Sequence, residues 1–147
     1  MIMKNLGAAI FYFLFHFSVF AQETDSVKYQ SLEPYDFHLQ YLRADSALLI
    51  DAREFFEYRR SRINGALFMP PSEGFEVAAD TINKEYSLFC YCYNGGRSAR
   101  ALLFFYEKGF RKLYNLEGGI VAWKKDGFPV EKSRIRKRAG GREGVRA

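Results

Sequence analysis

The sequence predicts an α/β fold, a mainly parallel sheet of about five strands with helices on both faces. Three observations carry that prediction. Short apolar runs such as Ala47-Leu48-Leu49-Ile50, and the stretch from Ser87 to Cys92, have the pattern of strands buried on both sides of a parallel sheet. Between them lie segments whose apolar residues recur at helical spacing. Gly, Pro and Asn mark most of the junctions.

The chain opens with Lys4 and an almost wholly apolar run from Leu6 to Phe20, broken only by His16 and Ser18. Val19-Phe20-Ala21 then places small side chains at −3 and −1 before the polar Gln22-Glu23-Thr24-Asp25. This is the pattern of a Sec-type secretory signal peptide over residues 1–21, cut after Ala21. An anchor helix would need ~20 apolar residues, and this run has about 15. No basic stop-transfer cluster follows, and no Cys near the cut points to a lipoprotein. The expectation is an exported, periplasmic protein with no stable membrane insertion after cleavage.

Residues 22–32 form a polar lead-in, and the folded domain is expected over 33–130. Leu32, Tyr35, Leu39 and Leu42 predict a helix across 33–44, followed by the strand Ala47–Ile50 ending at Asp51. Glu54–Arg60 reads as a short helix, and Ala66–Met69 as a strand stopped by Pro70-Pro71. Phe75–Ile82 is weakly helical, and Ser87–Cys92 is a second buried strand, broken at Asn94-Gly95-Gly96. A helix from Ser98 to Lys108 carries Ala101, Leu102, Phe104, Phe105 and Tyr106 on a broad apolar side and ends at Gly109. The strand Lys112–Leu116, a Gly118-Gly119 turn and a helix Ile120–Lys125 complete the series. Gly127 and Pro129 stop that last helix.

The net charge of +5 first directs attention to nucleic acid or membrane. Its location removes that reading. Residues 131–147 hold seven basic and two acidic side chains and Lys4 adds one base, which leaves fourteen basic against fifteen acidic over 22–130. The domain is neutral, the basic tail is expected to be disordered, and no nucleic-acid partner is expected.

Two cysteines, Cys90 and Cys92, stand two apart on one strand. In an extended chain such residues are ~6.5–7 Å apart at Cα, the limit of disulfide reach, so a structural bridge is not expected. Cys92 ends its strand and opens the loop Tyr93-Asn94-Gly95-Gly96-Arg97-Ser98, which runs into a helix. Ligands in α/β sheets bind beyond the carboxyl ends of strands. A tight loop feeding a helix turns successive N–H groups inward as an anion nest. That field, with a cation such as Arg97, can lower a cysteine pKa from ~8.5 to ~3.5–7.5. Cys92 is therefore the candidate nucleophile, whereas Cys90 has no such loop and reads as core.

Four segments, in order over about residues 33–130, resemble the rhodanese family. They are Leu49-Ile50-Asp51-Ala52-Arg53-Glu54, Tyr58 to Ala66, Tyr91 to Ala99, and Leu116-Glu117-Gly118-Gly119-Ile120-Val121-Ala122-Trp123. Ser61, Arg62 and Asn64 depart from the second motif. The resemblance implies a rhodanese-like fold and a sulfurtransferase that carries sulfur as a Cys92 persulfide. It further implies a small-molecule sulfur donor such as thiosulfate and a thiol or cyanide-like acceptor. On this reading Tyr93, Asn94, Gly95, Gly96 and Arg97 supply the N–H cradle, Arg97 braces the loop and adds positive potential, and Ser98 caps the helix. Asp51 is expected to support the turn through backbone N–H groups. Trp123 reads as core, and His38 as a surface or satisfied residue. With no His at hand, activation has to come from the loop. No metal site and no cofactor are expected, and the sequence does not fix the oligomeric state.

Many family members carry Arg directly after the Cys; here Tyr93 stands there, which favours a bulkier or less charged donor or a partner protein's persulfide. The related cell-cycle dual-specificity phosphatases place five residues between Cys and Arg. This loop has four, 93 to 96, a ring better suited to sulfur than to phosphate. The competing reading is a rhodanese-like module that docks a partner without turnover, and such modules typically lack the Cys.

Overall fold

The computed structural model describes residues 27–69 and 74–132. The predicted signal peptide, residues 22–26 of the lead-in and the tail from Ser133 lie outside the described residues. In chain order the elements are β1 (Gln30–Leu32), α1 (Pro34–Arg43), β2 (Ala47–Asp51), α2 (Phe55–Arg60), β3 (Ser61–Arg62) and β4 (Leu67–Phe68). They continue with α3 (Gly74–Thr81), β5 (Ser87–Tyr91), α4 (Gly96–Glu107), β6 (Leu113–Leu116), α5 (Gly119–Lys125) and β7 (Glu131–Lys132).

Five of the strands form one parallel sheet in the order β1-β6-β5-β2-β4. The apolar runs at 47–50 and 87–91 occupy its centre, as strands buried on both faces must. Alternation along them divides the core. Ile50, Leu88 and Cys90 pack with Phe75, Ala79, Leu102 and Phe105 of α3 and α4. Leu49, Phe89 and Tyr91 point the other way, to Phe37 of α1 and to Ile120 and Trp123 of α5. Helices thus cover both faces, and each fully buried Leu or Phe contributes ~1.5–3 kcal/mol of transfer free energy.

Two short pairings differ from the sequence reading. The last three residues of the lead-in, Gln30–Leu32, form the edge strand β1 on β6. Glu131 and Lys132, read as the start of the tail, form β7 antiparallel to β3, with Arg62 paired to Glu131 at 2.7 Å. Their side chains are mostly polar and exposed, so the pattern that marks a buried strand is missing.

Strand order places the site. From β2 the chain crosses to β4 on one side, and from β5 it crosses to β6 on the other. β2 and β5 are neighbours, with Asp51 in register with Tyr91. The carboxyl ends of two adjacent strands whose connections diverge form a crevice, the preferred ligand position in open α/β sheets. Among the described residues no helix is long and apolar enough to cross a membrane.

Candidate active site

Cys92 follows β5 directly and lies in that crevice, fully buried. The loop after it is fixed from outside. The Ile120 N–H donates to the Cys92 carbonyl at 2.9 Å and the Val121 N–H to that of Tyr93 at 3.3 Å, so the start of α5 holds the loop's first two carbonyls. This needs close approach. A Cβ on Gly119 would lie 2.5 Å from both of those carbonyl oxygens, and the residue sits at φ +59°. Gly95, at φ +94°, turns the chain into α4 as its N-cap residue.

With those carbonyls turned to α5, loop N–H groups face the sulfur. The Gly95 N–H donates to Cys92 Sγ at 3.2 Å, and the Ser98 hydroxyl lies 3.5 Å from it. Burial opposes ionisation of Cys92. The Ser98 hydroxyl and the N–H groups of Ser98, Asn94 and Gly95 outweigh it and hold the thiol below its ordinary pKa. Asn94 is exposed and its Oδ1 accepts from the Gly96 N–H at 3.3 Å, which shapes the turn.

Ser98 is not the helix cap. α4 begins at Gly96, so Ser98 lies within the first turn, and its hydroxyl reaches inward to Asn115 Oδ1 at 2.7 Å and to the Gly95 carbonyl at 3.0 Å. Asn115 in turn donates to Ser31 Oγ at 3.0 Å, tying the sulfur's surroundings to β1. Ser98→Ala is expected to raise the Cys92 pKa. Alkylation of Cys92, which needs the thiolate, then rises with pH along a curve displaced to higher pH and is several-fold slower at mildly acidic pH. Iodoacetamide rates across pH check this; superimposable curves would remove Ser98 from the activation of the sulfur.

Arg97 braces the loop, as expected, and does so through an acidic partner on α2. Its guanidinium makes three contacts of 3.0–3.2 Å with the Glu57 carboxylate. Glu57 also accepts from the Glu54 N–H at 3.0 Å at the start of α2. Arg97 therefore clamps the loop to α2, its charge matched by Glu57 rather than directed at Cys92.

Asp51 is fully buried at the end of β2 and collects four hydrogen bonds. The Arg53 N–H and Nε donate to Oδ1 at 3.1 and 2.8 Å, and Arg53 Nη2 and the Tyr91 hydroxyl each donate to Oδ2 at 2.6 Å. Arg53 also reaches the Ser61 carbonyl at 2.6 Å, and the Tyr91 hydroxyl accepts from the Ile63 N–H at 3.1 Å. Burial, then the Asp51 charge, pushes the Tyr91 phenol far up, so it remains a donor. Neither the depth of Arg53 nor the reach of Tyr91 is legible in the sequence, because both depend on contacts across the sheet.

Cys90 lies in the core facing α3 and α4, and burial raises its pKa well above the ordinary thiol value. Both cysteines are free. Trp123 is buried, with its indole N–H donating to the Pro129 carbonyl at 2.9 Å. His38 sits edge-on to Trp123 and Phe128. Beside the loop opens a cleft of about 650 Å³, its walls including Phe56 and Arg60 of α2, Tyr93, and Val121, Lys124 and Lys125 of α5.

Comparison with known proteins agrees with this architecture. The rhodanese-like domain family matches residues 36–126. A sulfurtransferase of Allochromatium vinosum is 31% identical over 86 residues, covering 58% of this chain and 79% of that protein. A thiosulfate sulfurtransferase GlpE of Actinobacillus succinogenes is 27% identical over 90 residues, covering 61% and 80%. Among solved structures, a rhodanese-like domain from Anabaena superposes with a TM-score of 0.63 at 22% identity, over 80% of this chain and 90% of that one. A rhodanese-related protein of Thermoplasma volcanium gives 0.60 at 28% identity, over 70% and 98%. With its parallel sheet, its cysteine loop and a family match spanning most of the domain, the chain belongs to the rhodanese-like family.

Proposed function

We propose that the protein is a sulfurtransferase that moves a sulfane sulfur from a donor such as thiosulfate to a thiophilic acceptor through a persulfide on Cys92. The observation that carries the reading is the Cys92 sulfur itself, ringed by donors that favour its thiolate. In the first step the thiolate attacks the outer sulfur of the donor. The donor's S–S bond breaks and sulfite leaves with the bonding pair, so the negative charge passes to the new outer sulfur. First-turn N–H groups of α4, which have no intrahelical partners, are placed to hold that charge. A thiolate or cyanide then attacks the outer sulfur, and Cys92 departs as the thiolate it was. Gly95, Ser98 and the α5 contacts keep the cradle in shape through both steps.

The domain is read as acting after export, on small-molecule donors and acceptors, with its leader removed after Ala21. Steady-state kinetics with thiosulfate and cyanide varied together test the covalent mechanism. Parallel double-reciprocal lines are expected of a two-step carrier; intersecting lines would mean that both substrates must be bound at once and would remove the persulfide from the cycle.

A further inference from the structure

The Ser98 hydroxyl has one hydrogen to donate and three acceptors within reach. Cys92 Sγ lies at 3.5 Å, the Gly95 carbonyl at 3.0 Å and Asn115 Oδ1 at 2.7 Å. The shortest contact leads away from the sulfur. Burial opposes ionisation of Cys92, and of the groups that favour it the Ser98 hydroxyl contributes most. It favours the thiolate only by donating to it, so a charged sulfur draws that hydrogen from the oxygens. Asn115, on β6, is 4% exposed, and its amide lies between two hydroxyls. Its Nδ2 donates to Ser31 Oγ at 3.0 Å, and Ser31 is exposed on β1. A hydroxyl both donates and accepts, whereas one end of an amide only accepts and the other only donates. Either end of the Asn115 amide therefore fits against either serine.

We infer that Asn115 is a positioning residue, whose amide turns between two settings and so directs the Ser98 hydrogen toward or away from the Cys92 sulfur. With the sulfur protonated, Oδ1 faces Ser98 and Nδ2 faces Ser31. With the sulfur charged, half a turn about the Cβ–Cγ bond exchanges the two ends. Nδ2 then donates to Ser98 Oγ, Ser98 donates to the sulfur, and Ser31 donates to Oδ1. Asn115 keeps both partners in each setting, so the thiolate gains a donor and no buried polar atom is left unpaired. A side chain that only accepts would hold the hydrogen back. The inference rests on Cys92 as the sulfur carrier, a thiolate before the first step of transfer and after the second. The ionisable groups on the surrounding elements are otherwise engaged. Asp51, beyond β5 on β2, is matched by Arg53 and Tyr91, and Arg97 of α4 by Glu57 of α2. Cys90 on β5 is held protonated by burial. Tyr93 and, after β6, Glu117 are exposed, and Lys124 and Lys125 of α5 line the cleft beside Tyr93. Among the described residues the side-chain hydrogen bonds of Ser98 and Asn115 run to Cys92, Gly95, Ser31 and each other.

The test reads iodoacetamide alkylation of Cys92 across pH, a rate that follows the thiolate. Asn115→Asp, which when ionised accepts and does not donate, is expected to slow alkylation about tenfold at mildly acidic pH. Asn115→Leu, which does neither, slows it about threefold. On a Ser98→Ala background neither substitution has a further effect, because both act through that hydroxyl. An effect of Asn115→Asp that persists there is a through-space charge and overturns the inference. Curves for both variants that superimpose on that of the unsubstituted protein overturn it as well. A second measurement needs no substitution at 115. The NMR signals of the Asn115 side-chain amide are expected to shift with the midpoint of the alkylation curve, and to stay constant in Ser98→Ala. Signals constant with pH in both proteins overturn the inference. Intact mass after thiosulfate or an organic persulfide separates this inference from the reading it rests on. If neither donor loads Cys92 while the alkylation curves behave as stated, sulfur transfer falls and the role of Asn115 stands. Loading of Cys92 with alkylation indifferent to Asn115 removes that role and leaves sulfur transfer standing.

Discussion

Cys92→Ser is expected to lower sulfur transfer at least about a thousandfold while leaving the fold in place. Serine is close in size and fits the same donors from Gly95 and Ser98, so packing changes little. It has no sulfur to extend into a persulfide, and its hydroxyl is not ionised in the working range. Cys90 cannot take over. It is buried in the core, and burial keeps it protonated. The expected result is loss of thiocyanate formation from thiosulfate and cyanide with an unchanged thermal transition. A variant retaining a tenth of the activity would mean that sulfur moves through another group.

Asp51→Ala is expected to cost about 3–5 kcal/mol of stability, the range for removing one partner of a buried ion pair. The carboxylate accepts four hydrogen bonds, two of them at 2.6 Å. Without it the Arg53 guanidinium, with its side chain only 4% exposed, keeps the Ser61 carbonyl and loses its ion-pair partner. Tyr91 loses its acceptor at the same time. The damage falls at the carboxyl ends of β2 and β5, which carry the loop, so activity falls with stability. Urea denaturation measures the loss, and a change below about 1 kcal/mol would mean that water replaces the carboxylate easily and that the site is far less closed. Tyr91→Phe removes one donor and is expected to cost less, about 1–3 kcal/mol.

The division between what is legible in the sequence and what is not follows the range of the forces involved. β2 and β5 are legible because a strand buried on both faces needs a continuous apolar run, and residues 47–50 and 88–91 supply one in each. The loop is legible because a nucleophile, two glycines and a helix start all fall within seven residues, Cys92 to Ser98. β1 is not, since an exposed edge strand of Gln30, Ser31 and Leu32 is defined by its partner β6 and by no pattern of its own. The β3–β7 pair joins Ser61 to Lys132, a contact that only the folded chain creates.

Charge is the least transferable inference. Arg97 lies in the first turn of α4, five residues after Cys92, and local reasoning gives its field to the sulfur; Glu57, forty residues earlier, takes that charge instead. Arg60 and Lys124 stand far apart in the sequence, and only the fold gathers them at one cleft. Asn115 is similar. In the sequence it is a polar residue inside a strand, and in the fold it links Ser98 to Ser31.

The central claim is tested most directly by weighing the protein intact after incubation with thiosulfate, and again after cyanide, beside Cys92→Ser and Cys90→Ser. The account predicts a gain of ~32 Da, one sulfur, that cyanide removes, that Cys92→Ser never shows and that Cys90→Ser retains. No gain with thiosulfate or with an organic persulfide donor, or a gain that survives Cys92→Ser, would contradict it.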